Sequence, residues 1–352
     1  MLIHHPDIVF SGFTKFEYVF IIAIFCFGIF LCLVYDRLKY IKFDWILLIG
    51  VKRLFRINLK HTLQIAILTG ISVYVVGTVF PVYKHQSKVS GIRQLLRHER
   101  SIVHALGFMD GYDGKEYDYT NSYEALINMY GLGNRVAEVD FSFTDDWELV
   151  CAHDFSTWDG ETEVVDCITG KDFSGGKIYS EFTPLTFSEL ADFMRNNPDL
   201  YIITDVKEFN LLACERISEI APDLKDRFII QIYHSEEYEP VRLLGFPYII
   251  WTLYMTAGPE WDIQVIKDAF IRYDLLGVTM REDWADGTAD FTGWSDDPGW
   301  IHGTELFDSM VNMNVPVYVY TVNDKKKIQD LIYYGVDAIY TDNTDNIWLR
   351  KL

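Results

Sequence analysis

The sequence predicts a (β/α)8 TIM barrel in residues 91–352, preceded by a membrane anchor with two transmembrane helices in residues 1–90. From residue 101 onward, short apolar runs alternate with helical patterns, which is typical of parallel βαβ units. Eight such runs occur, and about 250 residues is the usual size of a barrel with eight units. A doubly wound open sheet is the structural alternative. However, no Gly-x-Gly-x-x-Gly turn follows the first strand to indicate a nucleotide-binding version of it.

The membrane anchor is predicted from two uncharged segments, at about 18–35 and 65–83. A helix of about 20 residues crosses the hydrocarbon core of a bilayer, so both segments are long enough. A secretory signal peptide fits the first segment poorly, because no small-x-small cleavage site follows it. We therefore expect two transmembrane helices.

The distribution of basic residues predicts the orientation of this anchor. The loop 36–60 holds seven Lys and Arg residues, whereas Lys15 alone precedes the first segment. Loops rich in Lys and Arg stay in the cytoplasm. We expect a multi-pass protein of the cell membrane whose C-terminal domain is extracytoplasmic. Because the connection from Tyr83 to the first strand is short, we also expect its site to lie close to the lipid headgroups.

Composition and charge exclude several classes of protein. With 49% hydrophobic and 23% charged residues the chain is not disordered or low-complexity. The net charge of −20 argues against a nucleic-acid partner, since a phosphate backbone selects basic surfaces. No Cys-x-x-Cys pair is present, which removes zinc-knuckle and thioredoxin-like motifs. A Cys151–Cys167 disulfide is left open, and nothing in the sequence predicts an oligomeric state.

The predicted elements follow one another in order along the barrel domain. The eight strands are expected at 102–105, 135–140, 201–205, 228–232, 248–253, 275–280, 315–320 and 337–341. The helices are expected at about 121–132, 186–196, 209–220, 236–243, 261–272, 304–313, 324–334 and 344–350. An additional β-like run, 147–153, is interpreted as half of a hairpin.

Acidic residues on two neighbouring strands predict a metal site. Glu138 and Asp140 are two residues apart, so both side chains point to one face of a strand, and Asp205 on the next strand completes a trio. Three carboxylates around one point repel each other unless a cation lies among them, and oxygen-only ligands select Ca²⁺ or Mg²⁺. The alternative to a metal site is that these carboxylates simply lie on the surface of an acidic domain. The apolar neighbours Val139 and Ile203 argue against it, because they place the acids within buried strands.

Two histidines at strand ends predict acid–base chemistry beside this metal. His104 and His153 fall next to the acidic trio, and a pair of imidazoles supplies one general base and one general acid near neutral pH. Lys207 is a candidate for binding a phosphate oxygen, and an equally good interpretation is a simple ion pair with Asp205.

Three further residues at predicted strand ends are candidates for substrate binding. Trp251 stands at the fifth predicted strand, and Tyr320 ends the seventh. Arg281 follows the sixth predicted strand. In a barrel of this kind the chemistry lies at the carboxyl ends of the strands, which is where all three stand.

These residues lie in motifs that resemble the glycerophosphodiester phosphodiesterase family. Residues 138–140 read Glu-Val-Asp, 144–146 read Thr-Asp-Asp, and 150–154 read Val-Cys-Ala-His-Asp, similar to the family's Glu-x-Asp, Thr-x-Asp-Gly and His-Asp elements. Further matches are His104, 120–126 (Thr-Asn-Ser-Tyr-Glu-Ala-Leu), 205–207 (Asp-Val-Lys), 320–323 (Tyr-Thr-Val-Asn) and 335–342 (Gly-Val-Asp-Ala-Ile-Tyr-Thr-Asp). The matches run in chain order over about 240 residues.

The resemblance implies a barrel of the phosphatidylinositol phospholipase C-like superfamily that cleaves a phosphodiester with a divalent metal. It implies His104 as the base and His153 as the acid that protonates the leaving oxygen, with Lys207 neutralising charge in the transition state. The expected substrate is a glycerophosphodiester or a related phosphodiester, either lipid-derived or part of a cell-surface glycan polymer.

The sequence also departs from the family pattern. Ala105 replaces the phosphate-binding arginine that follows the first histidine, and Arg281 is the candidate for taking its place. The third carboxylate is the shorter Asp205. Two alternatives therefore stay open. One is a phosphodiester-transferring enzyme or lyase of envelope glycan or lipid metabolism, and the other is a catalytically impaired relative that binds a glycan or lipid.

Overall fold

The computed structural model describes residues 80–159, 168–256, 262–285 and 303–352, together with Ile67 and Gly70. The predicted span 18–35, the loop 36–60 and most of the span 65–83 lie outside these residues. None of the helices within the described ranges is both long enough and apolar enough to cross a bilayer. The chain divides into two compact units, Met1–Lys84 and His85–Leu352.

The second unit contains a closed barrel of eight parallel strands, as predicted. The strands that the structure describes are β1 Ser101–Val103, β2 Met109–Asp110, β3 Glu116–Tyr117, β4 Val136–Phe143, β5 Leu149–Cys151, β6 Trp158–Asp159, β7 Lys177–Ile178, β8 Leu185–Thr186, β9 Tyr201–Val206, β10 Phe228–Ile232, β11 Tyr248–Thr252, β12 Gly277–Arg281, β13 Val317–Tyr320 and β14 Ala338–Thr341. The barrel order is β1, β4 and then β9 to β14, and it closes because β1 pairs with both β14 and β4.

Helices follow the barrel strands at nearly the predicted positions. The described helices are α1 Phe80–Glu99, α2 Tyr123–Gly131, α3 Gly170–Gly175, α4 Phe187–Asn196, α5 Asn210–Ile220, α6 Tyr238–Leu243, α7 Ile263–Arg272, α8 Glu282–Ala285, α9 Gly303–Asn312 and α10 Lys325–Tyr334. Short polar side chains begin several of them. Thr186 and Glu189 form a capping box at α4, and Asp324 accepts the Lys327 backbone N–H at α10.

Two predicted elements differ from the observed ones. The predicted helix 344–350 is a 3₁₀ helix over Ile347–Lys351. The first predicted strand, 102–105, ends at Val103, because His104–Leu106 forms a 3₁₀ turn in which Ala105 takes a left-handed conformation at φ 46°. Two more 3₁₀ turns, at Pro222–Leu224 and Ser235–Glu237, also lie in connections.

The core has two layers that follow from the alternation of side chains along each strand. On β4, Val136 joins the apolar cluster inside the barrel, whereas Ala137, Val139 and Phe141 belong to the layer between the strands and the outer helices. Successive side chains on a strand point to opposite faces. Glu138 and Asp140 therefore continue the row that Val136 begins and lie inside the barrel.

Helix α1 closes the amino end of the barrel. Its buried residues Val89, Ile92 and Leu96 follow a helical spacing and pack in the interior cluster. Arg93 donates hydrogen bonds to the Leu275 and Leu276 carbonyl oxygens at 2.6 and 3.1 Å. The interior of the barrel is thus packed with apolar side chains near its amino end, which leaves the carboxyl end for the predicted acidic residues.

The predicted extra β-run is confirmed as one strand of a hairpin. β5 pairs antiparallel with the extension of β4, and β8 pairs with β5. A small separate core lies next to these strands and includes Trp158, Phe173 and Phe182. Cys151 is buried with a free thiol, and its suggested partner Cys167 lies outside the described residues.

Candidate active site

Glu138, Asp140 and Asp205 come together at the carboxyl end of the barrel. Asp140 and Asp205 are directly opposite each other in the β4–β9 register, and Glu138 precedes Asp140 on the same face. One carboxylate oxygen from each residue lies within 4.8 Å of the others, and all three side chains are buried. The predicted acidic trio is therefore a compact cluster.

Two neighbouring loops fix the positions of the β4 carboxylates. The Ala105 backbone N–H donates to Glu138 Oε2 at 2.8 Å, and the left-handed turn at Ala105 accompanies this contact. The Asn121 side chain brackets Asp140. Its Nδ2 donates to Asp140 Oδ2 at 2.9 Å, and its Oδ1 accepts the Asp140 backbone N–H at 3.1 Å. Asn121 has φ 43°, a conformation that asparagine tolerates better than most residues.

Asp205 is held by three donors. The phenol of Tyr254 donates to Asp205 Oδ1 at 2.7 Å, and the buried Tyr233 phenol donates to the same oxygen. Lys207 Nζ lies 2.6 Å from Asp205 Oδ2 and 3.1 Å from Asp140 Oδ1. The ion pair between Lys207 and Asp205, one of the two predicted interpretations, is thus present, and Lys207 bridges two strands.

The electrostatics of the trio are unequal. Burial, and then the charge of Asp140, raises the pKa of Glu138 to about 8. Burial acts in the same direction on Asp205, but the charge and hydrogen bond of Lys207 outweigh it and lower the pKa of that carboxyl. The charge of Glu138 is thus less well compensated by protein groups than that of Asp205.

The donor set fits a hard divalent cation. Glu138 Oε1 is buried and has no hydrogen-bond partner among the residues that the structure describes. Buried polar atoms nearly always have a partner, so this oxygen is available to bind a ligand. Glu138 and Asp205 also line a cavity of about 40 Å³, which has room for an ion or a few waters. Carboxylate oxygens are the ligands that Ca²⁺ and Mg²⁺ prefer, so Glu138, Asp140 and Asp205 could hold either.

His104 lies beside the trio and is oriented by Asp342. Its Nδ1 lies 2.7 Å from Asp342 Oδ1, and its Nε2 lies 3.9 Å from Glu138 Oε2. Asn323 Nδ2 in turn donates to Asp342 Oδ2 at 2.6 Å. Burial lowers the pKa of His104, but the hydrogen bond to Asp342 and the charge of Glu138 outweigh it and raise the pKa to about 9.

His153 follows β5 on the other side of the mouth and is more exposed. Its Nδ1 lies 2.8 Å from Asp154 Oδ2, and because a carboxylate only accepts, Nδ1 is the donor. The Tyr119 ring contacts both histidines edge-on, with centroid distances of 4.8 Å to His104 and 5.2 Å to His153. The two predicted histidines thus flank one aromatic ring, and each has a carboxylate on Nδ1.

The substrate-binding candidates are placed differently. Tyr320 lines the cavity with a buried hydroxyl that has no hydrogen-bond partner in the described part of the chain. Arg281 is paired with Tyr320 in the β12–β13 register, but its guanidinium binds Asp283 at 2.7 Å and does not line the cavity. Trp251 requires a correction. It is fully buried in the outer layer, because its neighbour Thr252 takes the inward-facing position.

The structure adds residues that the sequence did not identify as site residues. They are Tyr119, Asn121, Tyr233, Tyr254, Asn323 and Asp342. The motifs that resemble the family contain three of them, Asn121, Asn323 and Asp342. The resemblance was therefore the signal that could have identified these three as site residues. Tyr233 carried no such signal, since its contact with Asp205 depends on tertiary structure alone.

Comparison with known proteins supports the fold. No protein-family model matches the sequence, and no curated protein sequence matches it. Among solved structures, a glycerophosphoryl diester phosphodiesterase from Parabacteroides distasonis is 15% identical, with a TM-score of 0.51 over 71% of this chain and 85% of that chain. A second glycerophosphodiester phosphodiesterase from the same organism is 15% identical, with a TM-score of 0.53 over 71% and 96%.

A third structure carries a ligand. It is an Oleispira antarctica phosphodiesterase in complex with the product sn-glycerol-3-phosphate, 15% identical, with a TM-score of 0.51 over 72% of this chain and 96% of that chain. At these identities the three matches show that this chain shares the barrel fold of glycerophosphodiester phosphodiesterases.

Proposed function

We propose that this protein is a metal-dependent phosphodiesterase that hydrolyses a glycerophosphodiester or a related lipid-derived or cell-surface polymer phosphodiester. The observation that carries the proposal is the buried carboxylate trio, in which Glu138 Oε1 has no partner among the described residues and Glu138 Oε2 lies 3.9 Å from His104 Nε2. The names of the structurally similar enzymes, and the sn-glycerol-3-phosphate product bound to one of them, support it.

Glu138, Asp140 and Asp205 hold Ca²⁺ or Mg²⁺ in this proposal. Such an ion supplies positive charge that polarises phosphoryl oxygens and stabilises the charge of the transition state. Lys207 already lies 3.1 Å from Asp140 and adds a second positive charge on the same side. A phosphodiester is larger than the cavity of about 40 Å³, so the reacting phosphorus lies at its mouth, beside Tyr320.

The histidines move the protons. His104 takes a proton from the attacking hydroxyl, and His153 gives one to the leaving oxygen. Asp342 and Asp154 each accept from Nδ1, which leaves both Nε2 atoms for the substrate. In the metal-free site the pKa of His104 is about 9, so it is protonated at neutral pH. A cation held by Glu138 and Asp140 would offset the negative charge that faces His104, which would favour the neutral imidazole whose Nε2 accepts a proton.

Turnover by the full chain tests this proposal. We would strip the detergent-solubilised protein of metal, add Ca²⁺ or Mg²⁺, and follow cleavage of bis(4-nitrophenyl) phosphate and of glycerophosphodiesters. Hydrolysis restored by one of the cations, with a phosphomonoester as product, supports it. A cyclic phosphate or a transferred phospho-group would identify the lyase or transferase alternative. A folded protein without turnover in either cation would identify a binding relative.

The same protein is proposed to be anchored by two spans with its barrel outside the cell. Basic residues in the loop 36–60 are the sequence feature that supports this orientation. In a background in which Cys26, Cys32 and Cys167 are serine, Tyr112→Cys should react with a membrane-impermeant thiol reagent on intact cells. Asp44→Cys, in the loop, is the matched control and should react only after permeabilisation. The reverse pattern would overturn the orientation.

A further inference from the structure

Both β4 carboxylates have one oxygen engaged by an uncharged protein donor. The Ala105 backbone N–H donates to Glu138 Oε2 at 2.8 Å, and Asn121 Nδ2 donates to Asp140 Oδ2 at 2.9 Å. Of the other oxygens, Glu138 Oε1 has no hydrogen-bond partner among the described residues, and Asp140 Oδ1 faces Lys207 Nζ at 3.1 Å. Each of these side chains therefore offers a cation one available oxygen.

Asp205 is restricted further, because two phenols close one of its oxygens. Tyr233 and Tyr254 both donate to Asp205 Oδ1. A carboxylate oxygen has about two acceptor sites, so these two phenols occupy Oδ1 fully. Oδ2 pairs with Lys207 Nζ at 2.6 Å and keeps one acceptor site. Asp205 is thus left with Oδ2 as its ligand atom.

The two phenols are fixed by their surroundings. The Tyr233 side chain is buried, and its hydroxyl accepts the Val206 backbone N–H at 2.6 Å. The Tyr254 ring packs edge-on against Tyr233, with a centroid distance of 5.6 Å, and against Tyr320 at 5.9 Å. Since Val206 follows Asp205 directly, Tyr233 is tied to the same stretch of β9 that carries the carboxylate.

The rest of the cavity wall adds no further carboxylate among the described residues that line it. Gln231 supplies the one amide oxygen of this wall. The hydroxyls of Thr279 and Tyr340 already donate to Gln231 Oε1, at 3.5 and 3.4 Å. The described lining residues and Asp140 thus offer three anionic oxygens, one from each carboxylate, and leave the other positions around a cation to water or substrate.

We propose that Tyr233 and Tyr254, by closing Oδ1 of Asp205, make the site selective for Mg²⁺ over Ca²⁺. Ca²⁺ takes about six to eight oxygens and commonly uses both oxygens of a carboxylate, whereas Mg²⁺ keeps several waters and needs few protein oxygens. Three single oxygens in a cavity of about 40 Å³ suit the smaller ion. The inference rests on the proposed metal site and goes beyond it by naming the cation and two positioning residues.

Calorimetric titration of the metal-stripped, detergent-solubilised full chain with MgCl₂ and with CaCl₂ tests the selectivity without using turnover. Tyr254→Phe removes one donor from Asp205 Oδ1 and keeps the aromatic ring. Tyr254 is 37% exposed, so the variant should keep the thermal unfolding midpoint of the wild type. Tyr318→Phe is the matched control, because Tyr318 lies with Leu96 in the interior cluster and its hydroxyl has no hydrogen-bond partner among the described residues.

The wild type and Tyr318→Phe should bind Mg²⁺ more tightly than Ca²⁺. In Tyr254→Phe, Oδ1 regains an acceptor site and Asp205 can bind with both oxygens. The ratio of Mg²⁺ affinity to Ca²⁺ affinity should therefore fall by about tenfold, the effect of one hydrogen bond to a charged group. A purely structural role of the phenol would lower both affinities in parallel and leave this ratio unchanged.

Two results would overturn the inference and leave the metal site standing. They are a wild type that prefers Ca²⁺, which is measured without any variant, and an unchanged affinity ratio in Tyr254→Phe. A wild-type chain that binds neither cation would overturn the metal site together with the inference. The failure of the selectivity and the failure of the proposed function are therefore distinguished by one set of titrations.

Discussion

The two ends of the barrel are built from the same strands, but their inward-facing side chains differ in polarity. At the amino end, inward-facing residues are apolar, and Leu96 of α1 packs against Ile102 and Ile229 in one cluster. At the carboxyl end, the same inward rows continue as Glu138 and Asp205. Burying carboxylates without a full set of partners destabilises a fold, so their retention indicates a function. The comparison assigns stability to one end and chemistry to the other.

The largest expected effect is the loss of turnover in Asp140→Asn. An amide is a weaker ligand than a carboxylate, so the variant should lose metal-dependent hydrolysis while keeping its thermal unfolding midpoint. Asp226→Asn is the matched control, because Asp226 pairs with Lys88 at the amino end and should affect neither quantity strongly. Wild-type activity in Asp140→Asn would remove the metal-site interpretation.

Next in size are the histidine variants. His104→Ala and His153→Ala should each lower kcat by about 10²–10⁴-fold, the usual range for lost acid–base catalysis. The double variant should be little worse than the poorer single variant, since the two residues act as a unit. Steady-state kinetics check this, and near-normal rates in both single variants would show that the two-histidine mechanism is wrong.

Leu96→Ala tests the role of the amino end of the barrel in stability. Leu96 is fully buried, and truncation of a buried leucine costs about 2–5 kcal/mol of unfolding free energy. Because the site is at the far end of the strands, kcat/KM of the folded fraction should stay near the wild-type value. Denaturant unfolding and kinetics on one preparation measure both. A loss of activity without a loss of stability would contradict the division between the ends.

The smallest expected effect belongs to Asp342→Asn. Asp342 lies 2.7 Å from Nδ1 of His104 and is expected to act through that histidine, so it is a positioning residue. Loss of a charge-assisted hydrogen bond of about 1.5–3 kcal/mol should lower kcat/KM by roughly 10–10²-fold. The acid limb of the pH profile should shift to lower pH, because the carboxylate no longer raises the pKa of His104. An unchanged profile would assign Asp342 a purely structural role.

Much of the barrel was predictable because buried parallel strands give short apolar runs with clear ends. Phe228–Ile232 is observed with the predicted bounds. The same property explains the error at Trp251. The segment 248–253 is apolar at nearly every position, since a barrel strand is buried on both faces, so the sequence does not show which face a side chain occupies. A pair of charged residues at alternate positions does show a shared face, and Glu138 and Asp140 could therefore be predicted as site residues.

The remaining site residues depend on contacts between distant parts of the chain. Asn121 reaches Asp140 from a loop, and the Tyr233 phenol reaches Asp205 from the end of the neighbouring strand β10. Neither interaction leaves a periodic pattern in the sequence. The turn at His104 is similar, because the left-handed conformation of Ala105 brings its N–H onto Glu138, and alanine does not predict that conformation.

Direct titration of the metal tests the central claim. Isothermal titration calorimetry on the metal-stripped full chain should show one Ca²⁺ or Mg²⁺ bound per chain in the wild type and in Asp226→Asn, and none in Asp140→Asn. Binding should release protons, and more of them at lower pH, since burial raises the pKa of Glu138 in the metal-free site and a bound cation would lower it. A wild-type chain that binds neither ion, or an Asp140→Asn chain that binds it as tightly, would contradict the claim that the carboxyl end of the barrel is a metal-dependent active site.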